Sequence, residues 1–124
     1  MPHHQATIHL NCENCNVLHQ AFQDALEGKP SSRPMIEMVI PSVLDPTLAP
    51  PGMHVCLLFT QYTPFSLSNG KGWDEETREN YAKEVFKNVD VYAPGFSQSV
   101  IGKEVLCPVD LERIFGLTGG VSYY

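Results

Sequence analysis

No run of about 20 apolar residues occurs in this sequence, so no helix of it is expected to span a membrane. Positive charge is scarce. Lys and Arg total 8 against 14 Asp and Glu, a formal net charge of −6. The few cations form no cluster that could neutralise phosphates, which argues against nucleic acid as a partner. No G-x-G-x-x-G occurs, so the dinucleotide-binding fingerprint is missing, and no Walker or G-x-S-x-G motif replaces it. Internal repeats and low-complexity tracts are absent too. The opening Met1-Pro2-His3-His4-Gln5 has no basic region and no apolar region. It reads as neither signal peptide nor presequence, and a piece beginning mid-protein would look like this.

What is present fits one modest globular domain over residues 1–124. Apolar residues make up 43% and charged ones 18%, which argues against wholesale disorder. Four cysteines occur: Cys12, Cys15, Cys56 and Cys107. An even count permits disulfides. Three of them, however, sit within or beside apolar segments, where a free thiol packs as a small hydrophobe. The expectation is a reduced, intracellular protein, with mitochondrion and cytoplasm left open.

Local patterns give an element order. Thr7 to Leu10 reads as a short strand. Asn14 then caps a helix over about 15–27, with Val17, Leu18, Ala21, Phe22, Ala25 and Leu26 at helical spacing and Gly28 as the stop. Met35 to Ile40 reads as a strand bounded by prolines. A proline loop with Gly52 leads into His54 to Tyr62, apolar on both faces and expected to be a covered, central strand. Asp74 caps a second helix, with Glu75, Glu76 and Glu79 near the positive end of its dipole. Its apolar stripe is Tyr81, Ala82, Val85, Phe86 and Val89. Pro94-Gly95 ends it, Ser99 to Leu106 reads as a further strand, and a short helix begins at Pro108 or Asp110 and stops at Gly116. The order β-α-β-β-α-β-α predicts an α+β fold.

Several residues invite a chemical reading. Cys12-Glu13-Asn14-Cys15, flanked by His9 and His19, could supply two thiolates and two imidazoles to zinc. No second pair follows, and two thiols at a helix start account for the pattern. His3, His4 and His54 stand apart from any nucleophile signature. Gly116-Leu117-Thr118-Gly119-Gly120 could let a ligand approach the backbone, or could be a helix stop and turn. Asp45, Glu104, Asp110 and Glu112 share no diagnostic spacing. Asp45-Pro46 reads as a turn start and Asp110 as a helix cap. Trp73, Tyr62, Tyr81 and Tyr92 read as core or rim aromatics.

Four unusual stretches occur in order: Asp45 to Gly52 (DPTLAPPG), Trp73-Asp74-Glu75, Tyr92-Ala93-Pro94-Gly95-Phe96 and Asp110 to Gly120. Together, over about His4 to Gly120, they resemble the phytoene desaturase-like FAD-dependent oxidoreductases. The resemblance implies a mixed β-sheet with helices packed on one side. This is the substrate-binding domain that such enzymes, like the FAD-dependent amine oxidases, insert between two halves of a Rossmann-type FAD domain. It also implies FAD in a longer parent, oxidising an apolar or carotenoid-like substrate by hydride transfer, with Gly119 and Gly120 near the flavin or substrate. The family's segment after this glycine pair is an aromatic-His-Gly stretch, whereas this chain reads Val121-Ser122-Tyr123-Tyr124. The expectation is therefore a substrate-binding fragment, inert and without FAD by itself, whose partner is the rest of the flavoprotein. The alternative is a stand-alone binding or protein-interaction module. Apolar surface left open would favour a symmetric homodimer.

Overall fold

The computed structural model describes residues 1–120. Its regular elements are β1 (Ile8–Leu10), α1 (Cys15–Leu26), β2 (Met35–Val39), β3 (Leu57–Gln61), α2 (Glu75–Tyr92), α3 (Phe96–Ser99) and α4 (Pro108–Phe115), with 3-10 turns between them. The predicted helix starts hold. Asn14 Oδ1 accepts the N–H groups of Asn16 at 3.0 Å and Val17 at 3.2 Å, opening α1. Asp74 Oδ1 accepts from Thr77 N at 2.8 Å, opening α2. Gly28 ends α1 at φ +72°, where a Cβ would lie 2.9 Å from Ser68 N. The close approach serves a bond, since Ser68 N donates to Gly28 O at 2.9 Å.

The three strands form one antiparallel sheet in the order β1-β2-β3. Leu10, Ile36 and Thr60 lie in one cross-strand row, and Ile8, Met38 and Leu58 in the next. These rows face the same way, because alternate residues share a face. That face carries the core: Leu10, Ile36 and Met38 cluster with Trp73, Cys107 and the buried stripe Tyr81, Val85 and Val89 of α2. Phe86 is only half-buried and meets Phe96 edge-on, ring centres 5.7 Å apart. Two polar bonds fix the layers. The Tyr81 hydroxyl donates to Thr60 Oγ1 at 3.0 Å, and Trp73 Nε1 donates to Pro64 O at 2.9 Å. The α1 helix packs against β2, burying Ala21.

Three expectations are corrected. The strand expected over His54 to Tyr62 is shorter, and it lies at the end of the sheet order, not at its centre. Its start is lost because Ser42 Oγ accepts the Val55 N–H at 3.0 Å, so that amide serves a side chain and not a ladder. Leu57 is accordingly 58% exposed. The strand expected over Ser99 to Leu106 does not form. Asp90 accepts the N–H of Ser97 at 3.0 Å as well as its hydroxyl, which winds 96–99 into a helical turn. Without that strand the described sheet is antiparallel throughout rather than mixed, and the order is β-α-β-β-α-α-α.

Candidate functional site

The C-terminal run from Asp110 to Gly120 carried much of the resemblance, and its geometry is built on α4. Pro108 takes the first helical position, where its missing N–H costs nothing. Asp110 reaches back, and its Oδ2 accepts the Cys107 N–H at 2.9 Å. It therefore supports the helix start, as expected, from inside the first turn. Its larger role was not visible in the sequence. Arg78 of α2 approaches the same carboxylate with Nη1 on Oδ2 and Nη2 on Oδ1 at 3.2 Å. The guanidinium also donates from Nε to Trp73 O at 2.9 Å and from Nη1 to Val105 O at 3.5 Å. One side chain thus ties α2, the Trp73 loop, the 100–106 stretch and α4 together.

The electrostatics follow from this contact. Hydrogen bonds from Arg78, then the Cys107 amide and Arg113, hold the Asp110 carboxyl down to about 2, against the upward push of burial. Cys107 beside it is 2% exposed, and desolvation raises its thiol to about 11 despite the nearby Arg78. At neutral pH it is a protonated thiol, not a nucleophile.

Gly119 and Gly120, expected near a flavin, sit in a 3-10 turn that folds back on the start of α4. Gly120 N donates to Leu117 O at 2.7 Å. Gly120 has φ +68°, and a Cβ on it would fall 2.4 Å from Pro108 O and 2.5 Å from Pro108 Cα. The space a side chain would take is filled by the chain itself. Packing against Pro108 thus accounts for the absence of a side chain at Gly120.

Of the other candidates, His3, His4 and His54 come near enough for His4 to feel the charge of the other two, and the rest are scattered. Cys12 and Cys15 are exposed free thiols, with Cys15 the first residue of α1. His9 lies in β1 and His19 in α1, and among the described residues no group of three or more His, Cys, Asp or Glu is placed to hold a metal. His3 and His4 touch edge-on, ring centres 4.4 Å apart, while His54 Nδ1 lies 3.1 Å from the buried Ser42 Oγ. Asp45 does begin a turn, its Oδ1 accepting Thr47 N at 3.0 Å. Trp73 and Tyr81 are core aromatics, and Tyr62 stacks edge-on against Phe22 at 5.4 Å.

Sequence reasoning missed Asn11. This buried residue has φ +58° and closes a polar node. Its Nδ2 donates to Pro34 O at 2.8 Å and to Asn88 Oδ1 at 2.9 Å, and its Oδ1 accepts from Arg33 Nη2 at 3.4 Å and the Tyr92 hydroxyl at 3.3 Å. Asparagine after a strand, tolerant of the left-handed region, was the available signal.

Two adjoining hollows, of about 310 and 370 Å³, run along α2 and share Glu79 and Lys103. Arg78 and Val105 line the first; Lys83, Phe86, Lys87 and Val100 line the second.

Comparison with known proteins places these features. No family model matches the chain, and no solved structure matches it. It is 63% identical over 122 residues to pyridine nucleotide-disulfide oxidoreductase domain-containing protein 2 of Rattus norvegicus, covering 98% of this chain and 21% of that protein. The Mus musculus protein of the same name is 60% identical over the same shares. Prolycopene isomerase 2, chloroplastic, of an Oncidium hybrid cultivar is 36% identical over 90 residues, which is 68% of this chain and 15% of that protein. The chain therefore spans about a fifth of the length of the first two relatives. It belongs with pyridine nucleotide-disulfide oxidoreductase domain-containing protein 2 in the phytoene desaturase-like family that its motifs indicated.

Proposed function

We propose that this chain is part of the substrate-binding region of an FAD-dependent oxidoreductase and is catalytically inert by itself. The observation that carries the reading is the match to the two mammalian relatives, which runs through 98% of the chain but only 21% of either protein. The group acting on the substrate is then the flavin of the longer protein, which accepts a hydride from an apolar, carotenoid-like molecule. The exposed apolar side chains Leu44, Leu48, Met53, Val55 and Leu57, following the proline loop into β3, support an apolar ligand or partner surface on this side. Asp45 and the prolines hold that loop in shape, so its apolar side chains are presented without a further ordering cost.

Gly119 and Gly120 are the chain's proposed share of the flavin contact in the longer protein. The side of Gly120 facing Pro108 is closed, so the approach is to the opposite side of the pair. We propose an intracellular location for the longer protein, where its cysteines would stay as thiols.

The test is a flavin titration of the purified chain beside the longer protein. The chain alone is expected to stay colourless after mixing with FAD and desalting, while the longer protein retains flavin. A stoichiometric yellow complex of the chain alone would overturn the inert reading. A longer protein that takes up no flavin would overturn the oxidoreductase reading.

A further inference from the structure

Of the six asparagines in the chain, Asn69 alone is followed by glycine. The pair Asn69-Gly70 is exposed, on the loop between the Ser68–Gly28 contact and the Asp74 cap of α2. Asn69 Oδ1 accepts two backbone N–H groups, from Lys71 at 2.9 Å and from Gly72 at 3.0 Å. The amide nitrogen is held less closely, Nδ2 donating to Gly72 O at 3.4 Å. Donors thus gather on the oxygen where negative charge develops when a nucleophile adds to Cγ. The nearest nucleophile is the Gly70 nitrogen, tethered to Cγ through Asn69 itself, so the encounter is intramolecular. Among the described residues the Gly70 N–H makes no backbone hydrogen bond. Gly70, at φ +74°, brings no Cβ to obstruct the approach, and nothing lies within 4 Å of where one would be.

Each other asparagine lacks part of this set. Asn14 has the same kind of donors on Oδ1, from Asn16 N at 3.0 Å and Val17 N at 3.2 Å, but Cys15 follows it and begins α1. Asn16, Asn80 and Asn88 lie inside helices and are followed by Val17, Tyr81 and Val89. Asn11 is buried in its polar node.

We propose that Asn69 is a self-modification site, losing its side-chain amide to form aspartate and isoaspartate. A base from solvent takes the Gly70 N–H proton, and the nitrogen bonds to Asn69 Cγ. The Cγ–Nδ2 bond breaks, and Nδ2 takes up a proton and leaves as ammonia, which closes a succinimide ring. Water then opens the ring. Breaking the new bond at Cγ gives aspartate. Breaking the original bond at the Asn69 main-chain carbonyl gives isoaspartate, with the backbone rerouted through Cγ. No oxidant or reductant is needed. The two products differ in their effect on the fold. Aspartate keeps an Oδ1 for the Lys71 and Gly72 amides. Isoaspartate draws Cγ into the main chain, so those amides lose their acceptor and the loop lengthens between Ser68, held to Gly28, and Asp74, the cap of α2. The start of α2 is thereby loosened. None of this depends on the flavin reading.

The test is peptide mapping by mass spectrometry of the folded 124-residue chain held at mildly alkaline pH, beside the same chain in urea. Asn69 is expected to lose its amide at least about tenfold faster than Asn14, a barrier difference of roughly 1.4 kcal/mol. Its rate in the folded chain should stay within about tenfold of that in urea, because the fold leaves the pair exposed. Gly70→Ala should slow the loss about tenfold. A rate at Asn69 no greater than at Asn14, an intact Asn69 in the folded chain beside a modified one in urea, or an unchanged rate in Gly70→Ala would overturn the proposal. The comparison with Asn14 is made within one sample and needs no variant to fold. Asn69→Asp should leave the Lys71 and Gly72 amides exchanging with solvent as before, whereas the separated isoaspartate form should exchange them at least about tenfold faster. Equal exchange in the two would overturn the loosening of the loop.

Discussion

Replacing Asp110 by asparagine tests the contact on which the C-terminal half is built. The Asp110 side chain is 8% exposed and that of Arg78 20%, so solvent screens the pair little. Its carboxyl is held at about 2 against an ordinary 3.8. A drop of roughly two units, at about 1.4 kcal/mol each, makes the charged form worth roughly 2–3 kcal/mol more in the folded chain than in the unfolded one. The amide of Asp110→Asn would keep an acceptor for the Cys107 N–H but leave the Arg78 charge without its counter-ion. Breaking one side of such a pair puts the expected loss at roughly 2–4 kcal/mol. Because the folded value is depressed, the contribution is complete above about pH 4 and disappears as pH falls through about 2. Urea unfolding of the unsubstituted chain should therefore show stability falling between about pH 4 and pH 2, and Asp110→Asn should lack that component. At pH 7 the variant's midpoint should fall sharply, whereas Arg113→Ala should change stability by about 0.5 kcal/mol or less. Arg113 is 70% exposed and 3.3 Å from the same carboxylate. A loss under about 0.5 kcal/mol for Asp110→Asn, with an unchanged acid profile, would refute the reasoning.

Two further outcomes are expected. Gly120→Ala should destabilise by roughly 1–3 kcal/mol in thermal melts, because its Cβ would lie 2.4 Å from Pro108 O at φ +68°. Gly102→Ala, where nothing lies within 4 Å of the new atom, should stay within about 0.5 kcal/mol of the unsubstituted chain, and equal effects at the two sites would show that packing does not decide Gly120. Replacing Cys12 and Cys15 together by serine should leave the melting curve nearly unchanged, and chelator should have no effect. Stoichiometric zinc in elemental analysis, with melting on chelation, would restore the metal reading.

Elements whose cause is local were legible. Asn14, Asp74 and Gly116 announce helix ends because each satisfies its need within a few residues of itself. What the sequence hid depends on a distant partner. Arg78 and Asp110 lie 32 positions apart, and no spacing rule links them. The strand expected at 99–106 has a suitable composition, but a strand exists only where a second one pairs with it, and the nearest neighbour is α2. The same cause misplaced β3. Apolar residues on both faces suggested a central strand, yet the described sheet ends there. In both cases the composition asks for a cover that these residues do not supply, which is what a piece of a larger sheet or layer would ask for.

The stretches that revealed the family turn out to have packing roles in this chain. Asp45 shapes the proline loop, Trp73 bonds Pro64, Asp74 opens α2, Asp110 receives Arg78, and Gly120 makes room for Pro108. None brings a nucleophile beside a base, and Cys107, the buried thiol nearest the Arg78–Asp110 contact, is protonated at neutral pH. A region whose distinctive residues are committed to holding loops and helix ends can position an apolar wall with little motion. The oxidation of an apolar molecule proposed for the longer protein would take a cofactor, rather than a side chain, as its reacting group. The division of labour proposed for the longer protein follows from that requirement. In that proposal this chain supplies the shape, and the part of the longer protein beyond the matched region supplies the flavin site.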